Sequence, residues 1–491
     1  MKCDDTLQTH YYRDIEYTGA TPEEKAIEEL QKEVEEIQVE LANTEADLTQ
    51  LTTDFNSFKD KFVIVYPTDT DAVVQQKINT PGISKIIFAK GTYNNITSTK
   101  TIPSNKTLIG YGATIVAPSS IEWIVFQNDS DGSVGGYNAN SNINILGFEF
   151  NGENLLSGQG ASIIGFLHCN HILIKDCKFS HLYSGGHFIE FNATTASTIS
   201  DCYFYDYTGS EMVQLDKASG VGAYPVIPNG PWDGTGCSAI TICNNTFEND
   251  SSYTAEHGAS TDCLPAGIGN HNLGGNHISH IKMVNNTFAN MTTAFRFVEL
   301  FTSVISNNTA YGGYNFFSCG SDTAAVTGTL TGNIITNNVM NARVKSTTVT
   351  VEDSYTHGGI YYNGSNTVIA NNYLWNYSAD GMQIRGRDII IDGNRVADCG
   401  RCGILLVTTT GISVTNNHCT GNNILKVVSN DADIRESGTS NCNITGNIAN
   451  TIYTGTDSAS TMLTSNIATS SLTKTGSASS HGNVIAGVWT A

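Results

Sequence analysis

Between Ile172 and Ile448 one short phrase recurs: an apolar strand, then Asn-Asn or a stand-in, then a turn and a second short strand. It reads Ala-Ile-Thr-Ile-Cys-Asn-Asn-Thr-Phe at 239–247 and Ile-Lys-Met-Val-Asn-Asn-Thr-Phe at 281–288. Further copies stand at 303–309, 333–339, 367–373, 389–395 and 411–417. The tightest spacings are roughly 21 to 24 residues, the length of one solenoid coil. A single coil cannot bury its apolar face, so neighbouring coils must stack. Asn suits the corner between two strands because it tolerates left-handed backbone and can bond its copies in a ladder. The repeat therefore predicts a parallel β-solenoid.

From Glu23 to Phe62 the period changes to seven. Ile27, Val34, Leu41, Leu48, Phe55 and Phe62 fall at a positions, and Leu30, Ile37, Thr44, Leu51 and Phe58 at d positions. Unbroken heptads with Glu-rich flanks predict a coiled coil over 23–62, and a homotrimer is the preferred assembly. Residues 1–22 are expected to be an attachment or disordered segment. The solenoid is expected over 63–450, with a short helix near 69–79 that has an acidic start. The Ser/Thr-rich stretch 451–491 is expected to supply the last coils and a cap over the open end.

A net charge of -21 excludes a basic nucleic-acid footprint. No apolar run approaches the ~20 residues of a membrane span, and the start of the chain carries no signal peptide pattern. Cys177 and Cys202 hold equivalent places in successive repeats (Asp-Cys-Lys-Phe, Asp-Cys-Tyr-Phe) and should stack as buried thiols. Cys399 and Cys402 lack the second pair that a zinc site needs. No metal and no cofactor are expected.

The segment Asp69–Asn79 followed by Gly82-Ile-Ser-Lys-Ile-Ile-Phe-Ala-Lys-Gly-Thr-Tyr resembles the opening of the pectate-lyase-like right-handed β-helices, above all phage tailspikes and tail-associated depolymerases. The resemblance runs on through the repeats. It implies an all-β, right-handed parallel β-helix behind an N-terminal α-helical coiled coil. It also implies a virion tail protein, assembled in the host cytoplasm and acting outside the cell, with phage tail or baseplate proteins as partners. Its other partner would be a bacterial surface polysaccharide or teichoic acid, which it binds and degrades.

Strand alternation gives candidate outward positions. In His187-Phe-Ile-Glu-Phe-Asn, Ile189 and Phe191 should face in, and Glu190 and Asn192 out. In Glu211-Met-Val-Gln-Leu-Asp, Val213 and Leu215 should face in, and Gln214 and Asp216 out. His271, Arg296, Tyr361, Asn363, Gln383 and Arg385 continue the outward face. Coils lie about 4.8 Å apart, so carboxylates on neighbouring coils would be roughly 5 to 9 Å apart, the span of glycosidase acid pairs. Glu190 with Asp216 is the first candidate pair, Glu211 the reserve, and His271 and Arg296 the assistants. A register slip of one residue would reverse every assignment.

His257, His271, His277 and His280, with Glu256 and Asp262 among them, form a second cluster without a metal-binding spacing. The order Glu211-Met-Val-Gln214-Leu-Asp216, Asp233, then Ala-Gly-Ile-Gly-Asn-His271 looks like that of β-helix proteins from bacterial surfaces and phages, and implies that these side chains line a groove. No match to the calcium sites of pectate lyases is present. Tyr203, Tyr205, Tyr207, Tyr224, Trp232, Tyr361, Tyr362 and Trp375 are candidate sugar platforms. Two alternatives stay open: a receptor-binding fibre without catalysis, and a lyase acting on uronic acids.

Overall fold

A computed structural model describes residues 22–59, 61–119, 124–129, 132–153, 155, 161–183, 185–219, 231–250, 265–271, 278–319, 329–342, 358–426, 431–455, 459–473, 479–485 and 488–490. The chain divides into two units, Met1–Phe62 and Val63–Ala491.

The first unit contains helix α1 (Pro22–Lys59). Its heptad positions Ile27, Leu30, Val34, Ile37, Leu41, Leu48 and Leu51 are all at least half exposed in the single chain. These residues form an apolar seam along a 38-residue helix. Among the described residues no helix is long and apolar enough to cross a membrane.

The second unit is a solenoid, in which 44 strands among the described residues join in one hydrogen-bonded network. Among the described residues the pairings are parallel, except for the closing antiparallel pair Asn483–Ile485 with Val488–Thr490. Each full coil contributes to three stacks. One runs through Ile189–Asn192, Glu211–Asp216, Ala266–Gly269, Thr293–Arg296, Asn315–Ser318, Ile360–Ala370 and Met382–Asp392. We call it the lane sheet, because its outward side chains form rows down the solenoid.

Helix α2 (Asp71–Ile78) covers the first coil. Thr70 caps it by accepting from the Val73 N–H, and Val74 and Ile78 are buried beneath it. Gln75 explains how a helix can seal a strand edge. Its Nε2 donates to Thr101 O at 2.9 Å and its Oε1 accepts from Thr101 N–H at 2.9 Å, so one amide replaces a missing strand neighbour.

The Asn pairs divide their labour by position. The first member adopts positive φ, as in Asn244 (58°), Asn285 (57°), Asn307 (57°), Asn337 (57°), Asn371 (55°) and Asn416 (56°). Where the first member is absent, Gly393, Gly446 and Gly482 take the same conformation at 65°, 70° and 60°. The second member points inward and is buried. Asn245, Asn286, Asn308, Asn338, Asn372, Asn394, Asn417, Asn447, Asn466 and Asn483 form one ladder. The steps span 17 to 34 residues, apart from the 41-residue step between Asn245 and Asn286, yet each amide reaches the next Oδ1 at 2.9–3.1 Å. The backbone N–H of each rung donates to the same oxygen, as Asn308 N does to Asn338 Oδ1 at 2.9 Å. The ladder starts where the Cys pair ends: Cys202 N–H donates to Asn245 Oδ1, and Cys177 and Cys202 are buried free thiols.

Beside the ladder runs a phenylalanine stack, Phe150, Phe179, Phe204, Phe247 and Phe288, with ring centroids 4.7 to 5.1 Å apart. Rings at this spacing gain contact enthalpy beyond the area they bury. Tyr207 and Tyr362 are also fully buried, so these two residues face the core and are not surface sugar platforms.

Candidate active site

The lane sheet places the candidate residues in defined rows. One row reads Gly165, Glu190, Gln214, Gly269, Arg296, Ser318, Tyr361 and Gln383, each the register partner of the next. Asn192 pairs with Asp216 in the row beside it. The sequence reading put Glu190, Asp216, His271 and Arg296 on a single stripe. The structure distributes them over adjacent rows, because Asp216 stands two residues beyond Gln214, the register partner of Glu190.

A third set of outward side chains arises from a local break in alternation. After His187 come Phe188 and Ile189, both buried, and after Glu211 come Met212 and Val213, both buried. Two successive inward residues turn the preceding polar residue back toward the lanes. Glu211 thereby becomes the hub of the site. It is fully buried, and its Oε1 accepts from Arg296 at 2.8 Å while Oε2 lies 3.2 Å from His271 Nε2. Burial alone would raise its carboxyl pKa. The charge of His271 and the guanidinium of Arg296 outweigh it and hold Glu211 at about 2.

His271 lies between two carboxylates. Its Nδ1 is 3.3 Å from Asp216 Oδ2, and its own backbone N–H donates to Asp216 Oδ1 at 3.1 Å. Burial by itself would lower the imidazole pKa, but the charges of Glu211 and Asp216 push it up to about 10. The ring is therefore an imidazolium at neutral pH, and its side chain remains 35% exposed, the most open face of the cluster. Gln214 Nε2 donates to Asp216 Oδ2 and lies 2.9 Å from His271 Nδ1. Glu190 is contacted by neutral donors, Ser162 Oγ at 3.3 Å and Asn192 Nδ2 at 2.9 Å.

Gly269 makes room for this meeting. A Cβ there would come within 2.9 Å of Glu211 Cγ and 2.3 Å of Arg296 O. His187, which the sequence reading did not single out, belongs to the same place. Its Nδ1 donates to Glu211 O at 2.6 Å, its ring lies 6.0 Å from that of His271, and its buried Nε2 has no partner among the described residues. The signal was present in the aligned patterns His187-Phe-Ile-Glu and Glu211-Met-Val-Gln.

The remaining candidates sit elsewhere. Asp233 commits one oxygen to Gly136 N–H at 2.7 Å and the other to Thr235 N–H at 2.9 Å, so it braces two loops. Trp232 beside it is 39% exposed. Tyr361 is in the lane but only 3% exposed. Gln383 and Arg385 lie farther along the lane sheet. The aromatic pairs Tyr203–Tyr205 and Tyr373–Trp375 stack on strands of another stack of the solenoid. His280 contacts its neighbour Ser279. His257, His277, Glu256, Asp262 and Tyr224 lie outside the described residues. Among the described residues no group of His, Cys, Asp and Glu is arranged to hold a metal ion. Cys399 and Cys402 are buried free thiols, and burial pushes Cys402 well above the usual thiol range.

Comparison with known proteins agrees with this architecture. The family model described as a right handed beta helix region matches residues 266–437. No curated protein matches the chain in sequence. Among solved structures it is similar to PfbA, a surface adhesin of Streptococcus pneumoniae, at 17% identity and TM-score 0.54, covering 72% of this chain and 88% of that one. It is also similar to a tailspike protein of E. coli bacteriophage HK620, solved in complex with a hexasaccharide, at 12% identity and TM-score 0.51, covering 86% of this chain and 75% of that one. At these identities the likeness speaks for architecture alone: the chain is a right-handed parallel β-helix, the fold on which that adhesin and that tailspike are both built.

Proposed function

We propose that the chain is a phage tail protein that binds a bacterial surface polymer along the lane sheet and hydrolyses it at the Glu190–Asp216–His271 cluster. The observation that supports this is the gathering of Glu190, Glu211, Asp216, His271 and Arg296 on adjoining coils of one sheet. Coil spacing and strand rise put the Glu190 and Asp216 backbones roughly 8 Å apart on the diagonal. A separation of that order leaves room for a water between two carboxyl groups, the inverting geometry.

The two acids have different surroundings, which acid–base chemistry requires. Glu190, contacted by neutral donors, carries the proton to the leaving glycosidic oxygen. Asp216, oriented by Gln214 and by the His271 backbone N–H, takes the proton of the attacking water. Glu211 has both oxygens committed, one to Arg296 and one to His271. Its role is to hold Arg296 and to fix His271 beside Asp216. Helix α1 trimerises the chain through its exposed heptad seam.

The test is incubation with purified capsular and wall polymers, reading chain length and reducing ends. Hydrolysis shortens a polymer and creates reducing ends, and Glu190→Gln or Asp216→Asn each lowers the rate at least a hundredfold, the scale of a lost acid or base. Release of phosphate monoester without reducing ends would redirect the reading to teichoic acid cleavage. An unsaturated product absorbing in the near ultraviolet would identify a lyase. Tight binding with no shortening of any polymer would make the chain a binding protein and refute catalysis.

A further inference from the structure

We propose a second subsite on the lane sheet, centred on Arg385 with Asn363 and Gln383, that binds a carboxylate or phosphate group of the polymer. The inference rests on the reading of the lane sheet as a polymer track, and adds that the polymer is acidic. Asn363 and Arg385 are register partners on adjacent coils, and Gln383 precedes Arg385 by two residues on the same outward face. All three are covered or half-covered. Among the described residues the side chains of the three make no hydrogen bond or ion pair, and the Arg385 Nε is buried without a partner.

Arg387 and Arg395 are exposed, and among the described residues the other covered arginines are all paired with carboxylates. Arg296 is paired with Glu211, Arg401 with Asp380 and Asp431, and Arg435 with Asp431. A half-covered guanidinium without an anion bears a desolvation cost that a bound anion would relieve. On a chain of net charge -21 the cation also stands against the general field, which disfavours polyanions. The backbone is shaped at this point. Opposite Arg385 the register jumps, since Ile384 pairs with Leu406 but Gly386 with Thr409, and Thr408 takes φ 51°. Such a bulge re-aims the facing side chain. Gly386, at φ 106°, packs so closely on Gly364 that a Cβ would lie 1.9 Å from its carbonyl oxygen, which fixes the strand just beyond Arg385.

The His271 coil and the Arg385 coil are separated by the strands 293–296, 315–318 and 360–370, a distance of four steps or ~19 Å. One polymer chain of several units can occupy both places. The amide pair and the guanidinium offer planar donors to two oxygens of one group, the geometry suited to carboxylate and phosphate.

The experiment measures binding of the full chain to polygalacturonate, poly(glycerol phosphate) and neutral dextran, for the wild type and for Arg385→Gln and Arg385→Lys. The expected result is preference for one anionic probe over dextran, with about tenfold weaker binding to that probe in R385Q and partial rescue in R385K. Which anionic probe is preferred distinguishes a uronic acid from a phosphodiester polymer. Equal binding of dextran, no binding of either anionic probe, or an R385Q affinity equal to wild type would each overturn the subsite. Because Arg385 has no internal partner, R385Q should melt like the wild type, which separates lost recognition from lost folding. Cleavage is read separately: acid preference that depends on Arg385 without cleavage leaves the subsite standing and refutes hydrolysis, and cleavage without acid preference does the reverse.

Discussion

Exchanging the two members of an Asn pair should have opposite consequences, and Asn337-Asn338 allows the clearest test. Asn338 is 1% exposed. Its Nδ2 donates to Ile305 O at 3.0 Å and Asn372 Oδ1 at 2.9 Å, and its Oδ1 accepts the backbone N–H and the side-chain amide of Asn308 at 2.9 and 3.0 Å. Asn338→Ala strands two buried donors on Asn308, at ~1–3 kcal/mol each, so the expected loss is about 4 kcal/mol. Asn337 is exposed at φ 57°, with a conformation that glycine adopts freely. Asn337→Gly should therefore change stability by less than about 0.5 kcal/mol. The assay is guanidinium unfolding of the full chain, with the midpoint shift converted through the slope of the transition. If N338A and N337G fall within about 1 kcal/mol of each other, the division of roles between the two positions is wrong.

Three further outcomes follow from the same contacts. His271 titrates at about 10 in the fold against an ordinary 6.5, so its stabilisation is complete below pH 6.5 and is lost as pH rises toward 10. Glu211 titrates at about 2 against 4.5, so its contribution is complete above pH 4.5 and is lost as pH falls toward 2. Unfolding midpoints should thus be highest between pH 4.5 and 6.5, and Glu211→Gln should flatten both limbs. A wild-type profile already flat above pH 6.5 contradicts the clamp on His271. Arg401 is buried between Asp380 and Asp431, so Arg401→Met should cost ~3–5 kcal/mol, and adding Asp380→Asn, while Asp431 keeps Arg435, should recover part of it in the same denaturation assay. Light scattering of the full chain should give three times the single-chain mass, falling to one with Leu41→Lys and Leu48→Lys together; a monomeric wild type removes the trimer.

The repeat was readable because the corner imposes a backbone demand that few residues meet. Asn-Asn, Gly393-Asn394 and Gly446-Asn447 are solutions to one φ constraint and one hydrogen-bond constraint. Alternation also placed Glu190, Gln214 and Arg296 on the outward side of their strands, since period two operates within each strand. It could not assign rows between coils. The stretch from Asp216 to Ala266 is far longer than a coil, and only hydrogen-bond register shows that Val213 meets Ile268. Strand alternation does not reveal Glu211 as the hub or His187 as its neighbour, for one reason: each precedes two inward residues, where simple alternation fails. The charge pairing that makes Glu211 the hub also arises between residues 60 and 85 positions apart, which no local pattern encodes.

The alternation that puts the ladder and the phenylalanine stack inside and the polar lanes outside has an evolutionary consequence. Cohesion is written in one set of residues, and under the proposed function recognition is written in the set between them. Arg385 or Gln383 can be replaced without disturbing Ile384, Ile391 or the rung at Asn394. Such a wall can change its outward surface one residue at a time while the stability of the coil beneath stays the same, so if the proposed function holds, adaptation to a new polymer need not pass through a weakened fold.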